Sequence, residues 1–202
     1  RDRESGEELV VDNKYIMSPK DLCTVDFLDR FLDAGVRVLK IEGRARSADY
    51  VKRVVECYDE ALRAIEEGTY TPERAEQWKE RLRTVFNRGF WGGYYMGARA
   101  GEWSRTYGSS ATVRKVYVGK VTNYFARIGV IELQVEAAPL SVGEPVFLTG
   151  ETTGVVEFVV EEIRVALKPV QEAPQGVLCS IKVPTLIRRG DKLFKTVPSD
   201  EK

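Results

Sequence analysis

Before Ala111, apolar residues recur every three or four positions; after it they recur every second position. The first spacing belongs to helices with one buried face, the second to strands with one buried face. Ser18-Pro19-Lys20-Asp21 carries the signature of a helix start, with Ser18 as N-cap, Pro19 at the first helical position and an acid in the first turn. Leu22, Val25, Leu28, Phe31 and Leu32 follow at helical spacing, and Gly35 closes the run. Val36–Ile41 (VRVLKI) reads as a short strand, ended by Glu42-Gly43-Arg44. Ser47 then caps a second helix along Tyr50, Val54, Tyr58, Ala61 and Ile65, stopped by Gly68. Thr71-Pro72-Glu73 opens a third, with Trp78, Leu82, Val85 and Phe86 on its apolar side.

Tyr15-Ile16-Met17, the helix after Ser18, VRVLKI and the helix after Ser47 alternate as strand, helix, strand, helix. That is the grammar of a parallel α/β fold. Two such units do not complete a parallel sheet, whose strands need neighbours and helices on both faces, so the missing strands are expected upstream. After the Gly- and aromatic-rich stretch Phe86–Gly97, six strands are expected at Thr112–Val121, Ile128–Val135, Pro145–Leu148, Val155–Ile163, Val177–Val183 and Lys192–Val197. Short strands with Gly and Pro turns in so little chain predict a small antiparallel barrel. Leu140–Leu148 (LSVGEPVFL) and Leu186–Phe194 (LIRRGDKLF) resemble each other, each setting a Gly-acid turn before a strand. The expected division is a flexible lead-in at 1–13, α/β units with a linker helix at 14–109, and the β-barrel at 110–202.

Composition narrows the chemistry. Lys and Arg total 31 and Asp and Glu 31, so no charge surplus advertises nucleic acid or a basic partner. The three cysteines, Cys23, Cys57 and Cys179, are too few and too scattered for a disulfide framework. With no apolar run long enough to span a bilayer and no signal peptide, the expected setting is cytoplasmic, with no membrane partner. The high charge content is also a thermophile trend. Histidine is absent, which excludes a Ser-His-Asp triad, a Cys-His pair and His-ligated zinc within these residues.

Three stretches in register, Ser18–Cys23 (SPKDLC), Gly35–Val51 (GVRVLKIEGRARSADYV) and Phe86–Phe90 (FNRGF), resemble the collagenase-like peptidase family. These are the proteases of unassigned catalytic type, and the family also includes RNA hydroxylation proteins. The resemblance is firm over 14–110 and looser beyond, where the β-region resembles the second domain of elongation factors. It implies that 14–66 are the last βα units of a TIM-like barrel, mainly helical here, and that most of the family's site lies upstream.

Several residues are then candidates. Cys23, read in the first turn of a helix, sits where the dipole favours a thiolate, although a small buried residue packing a helix fits the same position. By resemblance it matches the fourth ligand of an iron–sulfur cluster in cluster-bearing relatives, so a cluster is expected, if at all, in the whole protein and not in this piece alone. Glu42 and Arg44 follow the VRVLKI strand, at the active face of a TIM-like barrel, where Glu42 could serve as general base and Arg44 as a clamp for carboxylate or phosphate. A structural Glu–Arg pair is the alternative. Arg46 follows as a weaker binding candidate. Asn87 and Arg88, with Phe90, Trp91, Tyr94 and Tyr95, form an aromatic-basic cluster suited to RNA bases or a peptide, or simply to packing. Lys115, Lys120, Arg127, Lys182, Arg188, Arg189, Lys192 and Lys195 could form a phosphate-tracking face, but interleaved acids favour a mixed solvated surface.

Three functions compete. One is part of a peptidase acting on polypeptide, with the β-region as a non-catalytic substrate-holding module. Another is part of an iron–sulfur enzyme hydroxylating RNA bases. In the third the β-region binds or braces without chemistry. The isolated chain is expected to be inactive.

Overall fold

The computed structural model describes residues 18–98, 101–104 and 108–199. The lead-in at 1–13 and the strand expected at Tyr15–Met17 lie outside the described residues. The chain divides into two compact units, one containing the residues up to Lys40 with Val55–Ala111, the other Ile41–Val54 with the residues from Thr112 onward.

In the first unit, Ser18 does not start a helix. Asp21–Leu22 forms a short strand (β1) parallel to Phe90–Trp91 (β2), and Pro19 bridges Trp103. The backbone explains the difference from expectation: the N–H groups of Lys20, Asp21 and Cys23 donate to the carbonyls of Glu102, Gly89 and Trp91. Those groups are committed to extended pairing, and the helical turns come later, as a 3-10 turn at Val25–Phe27 and a short helix α1 at Leu28–Asp33. The apolar spacing from Val25 onward was therefore a true helical signal, displaced towards the C-terminus.

The next two helices match their sequence signals. Helix α2 spans Ala48–Glu66, its Ala48–Val54 portion belonging to the second unit, and turns off at Gly68 with φ of 66°. Helix α3 spans Pro72–Arg83, capped by Thr71, whose side-chain oxygen accepts the Arg74 N–H, with Pro72 at its start. Cys57, Ala61 and Ala64 of α2 are buried, as are Ala75, Trp78 and Leu82 of α3 and Val25, Phe27 and Leu28. Trp78 stacks on Tyr70 at 5.9 Å and donates from its indole nitrogen to Glu60 at 3.0 Å, so its one polar atom is satisfied.

VRVLKI is not a strand. Residues 36–42 take no regular structure, and Val38 is 83% exposed. A parallel strand lives on backbone partners on its flanks, and no described residue supplies them. Among the described residues the first unit is helical, with a two-residue parallel pair, and the strand expected at VRVLKI is not formed.

The second unit is dominated by one antiparallel sheet. Its strands are β3 (Val113–Phe125), β4 (Val130–Val135), β6 (Pro145–Gly150), β7 (Gly154–Val159), β8 (Ile163–Val165), β9 (Lys168–Val170), β11 (Leu178–Lys182) and β12 (Lys192–Pro198). Two short strands, β5 (Leu140–Ser141) and β10 (Glu172–Ala173), form a separate antiparallel pair. The order β7-β6-β12-β3-β4-β11-β8-β9 leaves β7 and β9 as edges. The expected closed barrel is therefore an open sheet. Its inner face buries Val118, Val121, Ile131, Leu133, Leu148, Ile163, Ile181 and Leu193, with Leu140, Val160 and Ala173 joining the same core. The run expected as one strand from Val155 to Ile163 is two, because Val160 leaves the ladder to exchange hydrogen bonds with Gly143 and Glu144.

The two similar segments become neighbours. β6 and β12 pair with Phe147 opposite Phe194 and Leu148 opposite Leu193. Each is preceded by a glycine in the left-handed region, Gly143 at φ 88° and Gly190 at 96°, where a side chain would be strained. The following acid closes each turn the same way: Glu144 accepts the Ser141 N–H and Asp191 the Arg188 N–H, both at 2.9 Å.

The β8–β9 hairpin turns on Ala166 and Leu167, at φ 47° and 66°. A two-residue turn of this hand favours Asn-Gly, whereas ordinary L-residues pay a steric penalty there. Replacing Ala166-Leu167 by Asn-Gly is expected to stabilise the protein by about 1–2 kcal/mol, read as a higher urea midpoint at unchanged slope; an unchanged or lower midpoint contradicts the strain.

Candidate functional site

Cys23, Asn87 and Arg88 fall in the first unit, and Glu42, Arg44 and Arg46 in the second. β1 and β2 bring Cys23 and the FNRGF stretch together. Cys23 donates its backbone N–H to Trp91, and Asp21 accepts the Arg88 N–H on Oδ2 at 2.9 Å. Asp21, read in the sequence as the acid of a capping box, thus caps a different segment.

Cys23 is buried, and it precedes the helical turns instead of lying in the first turn of a helix. Burial pushes its thiol pKa up; the Val25 backbone N–H works in the opposite direction, and the nearby Asp26 carboxylate adds to the rise. The thiolate expected from a helix dipole is therefore not favoured: desolvation penalises the charged form and outweighs the N–H groups. Beside it, the Tyr58 hydroxyl accepts the Thr24 N–H at 3.0 Å and lies 3.1 Å from Thr24 Oγ1. Burial holds Tyr58 up at about 12, so it stays a neutral hydroxyl. Sequence reading missed Tyr58, which looked like one more apolar position on its helix.

Asn87 is buried, and its side chain is fully occupied with the backbone: Nδ2 donates to Arg83 and Val85, and Oδ1 accepts from Gly89. Its own carbonyl accepts the Ser110 N–H at 2.6 Å. The residue organises a loop. Of the neighbouring rings, Trp91 meets Tyr94 edge-on at 5.2 Å and Tyr95 meets Phe31 at 4.8 Å, while Tyr94 and Tyr95 stay more than half exposed.

Glu42 and Arg44 are exposed and bonded locally, Glu42 Oε1 accepting the Arg44 backbone N–H at 2.7 Å. The Arg46 guanidinium lies 5.2 Å from the Tyr50 ring centre, a cation–π contact. None of these contacts orients Glu42 toward a second catalytic group.

An iron–sulfur cluster is usually held by four thiolates. The Cys57 sulfur lies 3.7 Å from the Trp78 carbonyl, Cys179 sits in β11, and no three His, Cys, Asp or Glu side chains among the described residues could share a metal ion. The described residues therefore do not by themselves supply a cluster's four ligands.

The basic residues of the sheet sort themselves in a way the sequence concealed. Lys115 pairs with Asp49 at 2.9 Å and Lys195 with Glu144 at 2.7 Å, and Arg53 and Lys52 both reach Glu157. Lys120 and Lys192 have no acidic partner among the described residues and face each other across β3 and β12. They line a depression with Tyr117, Phe194 and Glu136. The Tyr117 hydroxyl donates to Glu136 at 2.5 Å, and its pKa is raised to about 12, first by burial and then by that bond.

Comparison with known proteins adds the lineage. The model of peptidase family U32 matches residues 1–105. The chain belongs to that family. It is 52% identical over 195 residues to a collagenase of Porphyromonas gingivalis, covering 96% of this chain and 47% of that protein. It is 31% identical over 130 residues to tRNA hydroxylation protein P1 of Bacillus subtilis, covering 64% of this chain and 30% of that one. Among solved structures, the C-terminal domain of a Geobacillus thermoleovorans U32 peptidase aligns with a TM-score of 0.38 and 18% identity, over 39% of this chain and 90% of that domain. The chain spans about half the length of the collagenases it matches, 47% of one and 54% of another. No helix among the described residues is long and apolar enough to cross a membrane.

The buried thiols carry a pH dependence. Folded pKa values lie above the ordinary 9.0 for Cys23 and at about 11 for Cys179. Stability is therefore complete below the unfolded value and is lost as pH rises through the folded one. Urea midpoints are expected to hold level between about pH 6 and 8 and to fall as unfolded thiols ionise above about 8.5; a midpoint that climbs there contradicts this. Tyr58→Phe, which leaves the Thr24 N–H unpaired, is expected to cost about 1–3 kcal/mol, checked by the same unfolding curve.

Proposed function

We propose that this chain is the polypeptide-holding portion of a collagenase-like U32 peptidase and breaks no bond itself. The observation that carries the reading is the engagement of its candidate catalytic groups in local structure. Glu42 accepts a backbone N–H two residues away, Asn87 spends its amide on its own loop, and the Cys23 thiol is buried in its protonated form. Peptide hydrolysis needs an activated nucleophile or water, a base within hydrogen-bond reach of it, and donors for the developing oxyanion. The described residues assemble no such set, and the chain has no histidine to act as base.

Holding a polypeptide needs less. β7 pairs only with β6 among the described residues, so one side of its backbone is unclaimed. An extended polypeptide can add to such an edge through main-chain hydrogen bonds, with side-chain contacts supplying selectivity. The opposite edge is less suited, since β9 is three residues long and contains Pro169, which has no N–H to donate.

The purified chain is expected to retain gelatin on a column while producing no new gelatin or casein fragments on prolonged incubation. Inhibitor-sensitive cleavage that co-purifies with the chain would overturn the reading, and so would failure to retain gelatin at low salt.

A further inference from the structure

We propose that the outer face of the sheet at Lys120, Lys192, Tyr117 and Phe194 binds a nucleotide unit, its phosphate between the two lysines and its base against the two rings. This goes beyond the polypeptide-holding role and uses other residues.

Lys192 stands directly opposite Lys120, Lys192 faces Thr149 on its other side, and Lys120 faces Gln134. Four adjacent strands thus present Thr149, Lys192, Lys120 and Gln134 in one row, every member a hydrogen-bond donor and none a carboxylate. Residues directly opposite in an antiparallel pair have Cβ atoms about 5 Å apart, and like charges in that position destabilise the sheet. Lys115, Lys195, Lys52 and Arg53 all meet acids. The Lys120–Lys192 pair is left with its repulsion, and an anionic phosphate between the two ammoniums relieves it.

The neighbouring row is aromatic. Two positions along β12, about 7 Å away at the strand rise, Phe194 stands opposite Tyr117. The two rings are 5.4 Å apart and tilted by 53°, and Phe194 is backed by Phe147, stacked at 5.4 Å and 15°. Phe194 lies between Phe147 and Tyr117, with the Lys115 ammonium 5.9 Å from its ring centre. The half-buried Phe194 and Tyr117 together form an aromatic surface beside the lysines, and base–aromatic contact tolerates any base. Glu136, held by the Tyr117 hydroxyl, lies at the ring end of the depression and offers an acceptor to a base N–H. A phosphate-sized charge site and an aromatic surface separated by one nucleotide's reach favour a nucleotide over an acidic peptide, which would use the lysines and leave the rings unexplained.

The nucleotide could come free or within a single strand, and the test separates the two. Wild-type chain is titrated with AMP and with a fluorescent ten-residue single-stranded oligonucleotide, beside Lys120→Gln/Lys192→Gln and a control pair, Lys168→Gln/Lys182→Gln, at exposed positions elsewhere on the sheet. The first pair is expected to weaken binding at least about tenfold and the control pair to leave it nearly unchanged. For the oligonucleotide, the first pair should also flatten the logarithmic salt slope by about 0.7, the contribution of the one phosphate held between the lysines. Equal affinity for AMP and oligonucleotide assigns the site to free nucleotide, and tighter oligonucleotide binding assigns it to a strand. Absence of binding at low salt, equal losses in both pairs, or equally effective competition by poly-glutamate overturns the proposal.

Discussion

The sheet is held together by its last strand. β12 pairs with β6 on one side and β3 on the other, so it is the link between β7-β6 and β3-β4-β11-β8-β9. Both halves must wait for the end of the chain before their inner faces close on one core, and such long-range pairing makes loop closure a cost borne before any contact forms. Entry into β12 is accordingly well specified. Gly190 supplies the left-handed turn, Asp191 accepts the Arg188 N–H and the Thr153 hydroxyl, and the carbonyl of Asp191 accepts the Val121 N–H. Gly150 leaves room for this carboxylate, since a side chain there would meet Asp191 Oδ1 at 1.9 Å.

The same strand places the outer-face chemistry. By bringing Lys192 against Lys120 and Phe194 between Phe147 and Tyr117, it turns residues far apart in sequence into one row of cations beside one row of rings. The α2 portion of this unit answers the remaining charges, Asp49 on Lys115 and Lys52 with Arg53 on Glu157. The candidate catalytic residues enjoy no such fixing. Glu42 and Arg44 sit in a segment without ladder partners among the described residues, and Ala45 just after them has φ of 56°.

Much of the fold was legible in the sequence because local signals and tertiary structure agreed. Thr71-Pro72, Ser47 and Gly68 bound helices where capping rules place them, and six strand candidates correspond to observed strands. The failures have a common origin in partners that periodicity does not encode. Ser18-Pro19 looks like a helix start but is drawn into extended pairing with residues near 90 and 103. VRVLKI has strand composition and no strand beside it among the described residues. Barrel closure depends on whether two edges meet, and here Pro169 and the excursion at Val160 go with edges that stay apart. The candidate site was legible in residue type only. Whether Asn87 faces a ligand or its own loop, and which of eight basic residues lack acids, is decided by register and burial.

The account turns on whether Val36–Arg46 is held as a strand and turn of an active face or left without partners. Amide hydrogen exchange followed by mass spectrometry on the purified chain tests this directly. Peptides covering 36–46 are expected to exchange within the first seconds, while β3, β4, β6 and β12 stay protected close to the limit of global unfolding. Protection of 36–41 comparable to that of the sheet would mean that VRVLKI is paired after all, that Glu42 and Arg44 are fixed at a strand end, and that the chain is built to take part in catalysis.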